Sequence, residues 1–451
     1  MLNATVTSVD PLGVSDAEQK GRDRYAWFVV FLLMGAYVLS FLDRQILSLM
    51  VKPIRADLGI SDTEISLLIG IAFSLFFCLC GLPLAHWADT RSRRGLIVVG
   101  VALWSIATAA CGSASRFGTL FLARMGVGVG EAALSPASFS LLVDYFPRHR
   151  RATAISVYSA GVCVGSGLAL LLGGALVHMT SNLTLPLIGE VRPWQTVFFM
   201  LGGVGLLFCP LLMLVREPVR VKASAAEDPE SQQQIIAAYK ANKGMIALHH
   251  LGFAIFILAS YGCAAWIPTF FVRVHAWTPA HVGVVYGSIV AILGTCGMIV
   301  GGWAADTLFR RGQVDATLRL SAYSALGAIP FAVGTFTCTD ANLAAACLGM
   351  ATLLFCAATG LGPASIQEMV PANARAKASA FFLLVVNLVG QGLGPTAVAL
   401  LTDHVFHNDK AVGSSLLVVN VVGLSLAALL LTLARAPYRD HYRRLHQGVD
   451  A

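Results

Sequence analysis

Apolar residues in this chain come in long runs, each ended by a short cluster of arginine, aspartate or proline. A helix that crosses the hydrocarbon core of a bilayer needs about 20 such residues. Counting the charge-poor runs predicts twelve helices, at roughly 25–51, 64–87, 95–114, 117–143, 152–179, 193–215, 246–272, 281–305, 318–339, 341–368, 377–402 and 411–434. They are numbered spans 1 to 12. Most connections are short. The exception, 216–244, carries Arg216, Glu217, Arg220, Lys222, Glu227, Asp228, Glu230, Lys240 and Lys243, and it falls between spans 6 and 7. The expected organisation is a tail at 1–24, a six-helix half at 25–215, a linker at 216–244, a second six-helix half at 245–435 and a tail at 436–451.

The two halves share wording. Asp89-Thr90-Arg91-Ser92-Arg93-Arg94-Gly95 follows span 2, and Asp306-Thr307-Leu308-Phe309-Arg310-Arg311-Gly312 follows span 8. Pro136-Ala137-Ser138 is answered by Pro363-Ala364-Ser365. Pro147 with Arg151-Ala152 is answered by Pro371 with Arg375-Ala376 at the same spacing. A duplicated bundle is expected to hold its substrate between the halves.

Composition agrees with lipid as the solvent. Hydrophobic residues make up 57% and charged residues 12%, against about 25% charged in a soluble domain. The ten cysteines lie inside apolar runs and are read as small apolar fillers rather than metal ligands or disulfides. The net charge of +7 does not point to nucleic acid, because the basic residues sit in short loops rather than on one soluble face. Loops after spans 2, 4, 6, 8 and 10 hold more arginine and lysine than the opposite loops, which carry Lys52/Arg55, Arg116, Arg192, Arg273 and Lys410. The positive-inside rule therefore places both termini in the cytoplasm.

Charge within hydrocarbon costs about 2.5–3.5 kcal/mol per residue on insertion scales. Four residues carry it: Asp43 and Arg44 in span 1, and Arg124 and Glu131 in span 4. Neighbours on a helix point about 100° apart, so Asp43 and Arg44 do not face one another; at least one must reach another helix, and span 4 offers a partner for each. Arg124 and Glu131 share a face, about 10.5 Å apart along the axis. This spacing makes Arg124 the expected internal partner of Glu131 and leaves Arg44 freer to meet a ligand. The four residues form either a structural clamp between spans 1 and 4 or a proton-linked transport site with Asp43, Glu131 and Arg124 as the coupling groups. Between them Gly126, Gly128 and Gly130 are expected to let span 4 pack closely. In span 5 Tyr158, and in span 11 Asn387 and Gln391, either line the cavity or bridge packed helices.

These features resemble the major facilitator superfamily. Its loop pattern G-x-x-x-D-R-x-G-R-R is met in part: Gly302 precedes Asp306 by four, whereas Ala85 and Thr90 replace the usual residues around Asp89. Within that superfamily, Phe41-Leu42-Asp43-Arg44-Gln45-Ile46-Leu47-Ser48 and Arg124-Met125-Gly126-Val127-Gly128-Val129-Gly130-Glu131-Ala132 resemble the Spinster-type transporters, as do Ser135-Pro136-Ala137, Asp144-Tyr145-Phe146-Pro147 and Gly165-Ser166-Gly167. The resemblance is strong over 25–180 and general in the second half. It implies an all-α membrane protein with the major facilitator fold, twelve transmembrane helices in two six-helix halves. It also implies proton-linked transport of lysolipids or sphingoid phosphates, with Asp43, Arg44, Arg124 and Glu131 taking part. The paired loops, with Asp89, Arg93, Arg94, Asp306, Arg310 and Arg311, are implied to bias an inward-closed state.

The expected function is alternating-access transport of an amphipathic, anionic, lipid-like substrate coupled to protons. Arg44, Tyr158, Asn387 and Gln391 are its candidate contacts. The alternatives are a soluble organic anion or sugar phosphate as substrate, or a drug efflux pump of the same fold. The chain is not expected to be an enzyme, since no nucleophile has a plausible base and no metal cluster is legible. No cofactor and no nucleic-acid partner are expected. The protein is expected to be a monomer in the cell membrane, the inner membrane if bacterial.

Overall fold

The computed structural model describes residues 16–179, 183–185, 189–218, 242–370 and 375–446. Among them are twelve helices long and apolar enough to cross a membrane: Arg22–Leu49, Asp62–Gly81, Arg93–Gly112, Phe117–Tyr145, Thr153–Gly173, Pro193–Leu212, Lys243–Val274, Pro279–Arg310, Ala316–Thr337, Ala341–Glu368, Ala378–Val405 and Asp409–Arg444. Each corresponds to one expected span, so the all-α, twelve-helix architecture holds. The first part of the N-terminal tail, most of the linker (219–241) and the last five residues lie outside the described residues. The outward faces carry large bare hydrophobics, such as Leu207 at 77% exposure and Ile299 at 67%. In water such a surface would aggregate; in a bilayer it meets acyl chains.

Boundaries differ from the expected ones where helices outrun the apolar slab. The second D-T-x-x-R-R-G is not the loop its charges suggest: all but its last two residues belong to the single helix Thr295–Arg310. The first begins on the helix Ile71–Thr90, and a new helix starts at Arg93. Polar residues end the hydrocarbon run without ending the helix, because backbone bonding continues in the interface. Span 12 behaves likewise: its helix continues to His446, well past the end of the apolar run. A small antiparallel hairpin, Leu183–Leu185 with Gly189–Val191, precedes span 6.

The repeat is structural as well as verbal. Span 4 is interrupted between Glu131 and Leu134, and span 10 at Gly360. Pro136 and Pro363 follow at matching places and cannot donate to the carbonyls of residues 132 and 359, four positions back. Near the termini, each half is then tied by the same three element ends. Arg93, 2% exposed at the start of span 3, pairs with Asp144 at the end of span 4 and, at 2.8 Å, with Glu217 beyond span 6. Asp315, 1% exposed before span 9, takes Arg435 of span 12 at 2.6 Å, while Tyr438 donates to Glu368 at the end of span 10 at 2.7 Å. The same element ends meet in both halves, with the charges exchanged at the starts of spans 3 and 9 and again beyond span 6 and late in span 12, and an acid kept at the ends of spans 4 and 10.

Spans 5 and 11 bend as their small residues suggest. Span 5 breaks at Ala160 before Gly161, and span 11 widens into a π-helical turn over Asn387–Gly392. Span 8 has a π turn at Val290–Gly294, and span 11 a further one at Leu401–Val405. Such turns free backbone groups and recur at functional sites. They also sit where the halves meet: Gly70 of span 2 rests on the Gly392 carbonyl, and Gly167 of span 5 faces Gly287 and Ala291 of span 8.

Candidate functional site

The four intramembrane charges come together as two crossed pairs. Arg44 Nε donates to Glu131 Oε2 at 2.6 Å, and Arg124 Nη1 stands 3.6 Å from Asp43 Oδ2. The expected pairing of Arg124 with Glu131 is therefore not the one formed. Seven residues of separation keep their heads apart along span 4, and span 1 supplies a closer partner for each. Ser40 donates to the same Glu131 oxygen at 2.5 Å, and Thr108 of span 3 donates to Asp43 Oδ2 at 2.7 Å. Asp43, Arg124 and Glu131 are each 1–3% exposed.

The pairs are not saturated. Asp43 Oδ1, Glu131 Oε1, Arg124 Nε and Arg124 Nη1 are buried with no hydrogen-bond partner among the described residues. Buried polar groups are normally satisfied, and here two carboxylate oxygens and two guanidinium nitrogens stand side by side without that satisfaction among the described residues.

Arg44 differs from the other three. Its guanidinium lies over the rings of Phe41, Phe73 and Phe77, with centroids 4.4–4.9 Å away. It also lines a central cavity between the halves. One wall of that cavity is Phe41, Gln45 and Ser48 of span 1; the other includes Tyr261 of span 7, Thr352 of span 10 and Gln391 of span 11. Three cysteines, Cys163, Cys263 and Cys356, also line it, so these are not merely fillers between helices. Close packing delivers span 4 to this place as its glycines suggested. A Cβ on Gly128 would stand 2.5 Å from the Phe73 carbonyl, and one on Gly130 2.6 Å from the Trp104 nitrogen.

The remaining candidates separate. Gln391 reaches the cavity. Tyr158 is fully buried, stacked on Tyr37 at 4.7 Å, and is not among the cavity's lining residues. Asn387 begins the π turn and is half-buried, also outside that lining. Of the paired loops, Arg93 and the Arg94 backbone bind Glu217 within the first half. Asp306 lines a cavity with Glu368 between spans 8, 9 and 10, Arg310 donates to Thr307, and Arg311 is exposed. The side chain of Asp89 lies outside the described residues.

A second polar cluster was missed. At the end remote from the termini, Arg273 of span 7 grips Asp62 of span 2 through both nitrogens, at 2.5 and 2.7 Å. Arg55 pairs with Asp62 at 3.0 Å and with Asp409 at 2.7 Å, and Asp403 accepts the Thr63 N–H and hydroxyl, both at 2.7 Å. Asp62 is fully buried. Apart from Arg55–Asp62, these bonds run between the halves, and together they close that end of the cavity. The clue was present: Arg55 and Arg273 were read only as loop charges for topology, while Asp62, Asp403 and Asp409 stand beside them at the span ends. Asp62, Asp403 and Asp409 also approach closely enough to hold a cation, but Asp62 is already paired with Arg55 and Arg273, and Asp409 with Arg55.

Comparison with known proteins agrees with this architecture. The Major Facilitator Superfamily profile matches residues 33–395. An MFS-type efflux pump of Mycolicibacterium smegmatis is 28% identical over 430 residues, covering 94% of this chain and 96% of that protein. Protein spinster of Drosophila melanogaster is 23% identical over 439 residues, covering 94% of this chain and 70% of that protein. A crystal structure of a bacterial homolog of the human lysosomal transporter Spinster, inward-facing and occupied, matches with a TM-score of 0.74 at 28% identity. That match covers 93% of this chain and 97% of the other.

Proposed function

The chain belongs to the Major Facilitator Superfamily, and from that premise we propose that this Spinster-like, multi-pass membrane transporter moves an amphipathic anion by alternating access, coupled to protons. One observation carries the reading: Arg44 is at once the partner of buried Glu131 and the cation of the central cavity. With both acids ionised, two carboxylates and two guanidiniums sum to zero. A proton on Glu131 removes the charge that holds Arg44 Nε and leaves the site at +1. Arg44 then offers its planar fork to a phosphate or carboxylate in the cavity. Loss of the proton restores the pair and expels the anion. Asp43 and Arg124 form the second pair through which the charge is shared.

Phe41, Phe73, Tyr261 and Phe355 line the cavity around that fork and suit an apolar tail, which favours a lysolipid or sphingoid phosphate over a small soluble anion. Both termini lie in the cytoplasm on this reading, because the arginine-rich element ends are on their side. The latch at the opposite end then makes this arrangement inward-facing. Asp89 and Asp306 would hold the cytoplasmic ends in the inward-closed state. The kinship with an efflux pump favours export of an amphiphile as a second reading.

The test is binding and transport in proteoliposomes, with lysophosphatidic acid, a sphingoid phosphate, a neutral monoacylglycerol and a sugar phosphate compared side by side. Acidification should strengthen binding of the two anionic lipids and leave the neutral lipid unchanged. Equal binding of all four, or preference for the sugar phosphate, would overturn the substrate class. Uptake indifferent to a pH gradient would overturn the coupling.

A further inference from the structure

Ser48 borders two spaces. One is the central cavity; the other is a cleft at the end remote from the termini. The cleft is bounded by the end of span 1, by the short helix Val51–Leu58 and by the last turns of span 7, and it reaches Pro279 at the start of span 8. Leu49, Val51, Ala56, Pro268 and Val272 give it apolar walls. Two cations stand at it, and they are not equivalent. Arg273 is committed to Asp62 through both nitrogens. Lys52 is exposed, and among the described residues no carboxylate lies within ion-pair reach of it. An apolar slot with an uncommitted ammonium at its rim is complementary to a chain bearing one anionic head. A soluble anion would gain nothing from the walls, and a neutral lipid nothing from Lys52. Only the small Ser48 side chain, which donates to the Gln45 carbonyl at 2.7 Å, stands on both spaces.

We propose that this cleft is a lateral port in which an anionic single-chain amphiphile lies with its head at Lys52 and its chain between spans 1 and 7. From there it exchanges with the central cavity past Ser48 when the Arg273–Asp62 pair parts and that end opens. The inference rests on the amphiphile reading above and adds the leaflet, remote from the termini, with which the substrate exchanges.

The probe is lysophosphatidic acid carrying a diazirine in its chain, photolysed in proteoliposomes holding the full-length protein, with adducts mapped by mass spectrometry. Adducts are expected on 49–56 and 268–273 as well as on cavity residues such as Phe41 and Tyr261. Lys52→Glu should cut cleft labelling by about tenfold, the change expected for one lost charge-assisted contact, while a neutral monoacylglycerol probe is unaffected. Ala56→Trp, at an exposed lining position, should reduce labelling by both probes. Lys410→Glu controls for general attraction to the same surface and should change nothing. Equal losses for Lys52→Glu and Lys410→Glu would overturn the port. Cavity adducts without cleft adducts would overturn it while leaving the substrate reading intact. No adducts in either place would remove the amphiphile reading and the port together.

Discussion

Glu131 has no solvent to turn to, so its charge rests on Arg44 and Ser40. Removing one partner of a buried pair costs about 3–5 kcal/mol, because the other is left uncompensated. Arg44→Ala should therefore destabilise the folded protein by about that amount, and adding Glu131→Gln should recover most of it. Anion binding should not recover. The lost charge-assisted contact is worth about 1.5–3 kcal/mol, or roughly 10- to 150-fold in affinity, in both variants. Thermal unfolding in detergent, with binding measured on the same samples, separates the two roles. If the double variant binds anions normally, Arg44 serves the fold alone. Asp43→Asn and Glu131→Gln should each abolish uptake driven by a pH gradient and, because each leaves an arginine uncompensated, also lower the unfolding temperature; normal proton-driven uptake in both would make the acids structural. The four charged residues were legible one by one, because charge in hydrocarbon stands out wherever it falls. Their pairing was not. It depends on the rotation of span 1 against span 4, and an error of one residue turns a side chain by about 100°.

At the level of elements, close contact and capping charge decide. Gly128 lets span 4 lie against the backbone of span 2. Gly128→Ala gains about 1 kcal/mol of helix propensity but forces a Cβ onto the Phe73 carbonyl. Overpacking of this kind costs about 1–3 kcal/mol, and backbone cannot swing aside. The variant should melt lower, whereas Gly302→Ala, where an added Cβ meets nothing within 4 Å, should melt level or higher. Equal effects at the two sites would deny the packing role. Glu217 closes the first half near the termini. Burial pushes its carboxyl up, but the Arg93 side chain, the Arg94 N–H and Ser92 outweigh that and hold it below the usual 4.5. A lowered carboxyl stabilises the fold fully above its unfolded value and loses that contribution as pH falls through the folded one. Below pH 4.5 the native protein should therefore lose unfolding temperature more steeply than Glu217→Gln; parallel curves would show that the pair carries nothing. The glycine spacing in span 4 announced close packing, whereas Glu217 could be read only as one charge among nine in a linker.

For the whole molecule, the governing feature is the seal remote from the termini. Arg273 and Asp62 are 211 positions apart, in different halves, and they must part if that end is to open. Arg273→Ala removes two charge-assisted bonds. Even at a net ~1.4 kcal/mol, since Asp62 regains water on opening, the open population should rise about tenfold. Spin labels at Ala56 and Asn408, one on each half, would report a longer-distance component. An unchanged distance distribution would mean that packing, such as Gly70 on the Gly392 backbone, holds the end shut without the ion pairs.

The sequence by itself determined the twelve spans, the duplication and the four costly charges. In lipid the penalty for each residue is paid locally, so hydropathy and charge can be read position by position. Only the tertiary structure decided that Arg44 serves both Glu131 and the cavity, that Tyr158 stacks on Tyr37 and stays out of the cavity lining, and that Arg273 closes on Asp62. Each of these is a meeting between helices. It is fixed by how the spans rotate, bend at Ala160 and the π turns, and cross, and no run of residues along a single span records that.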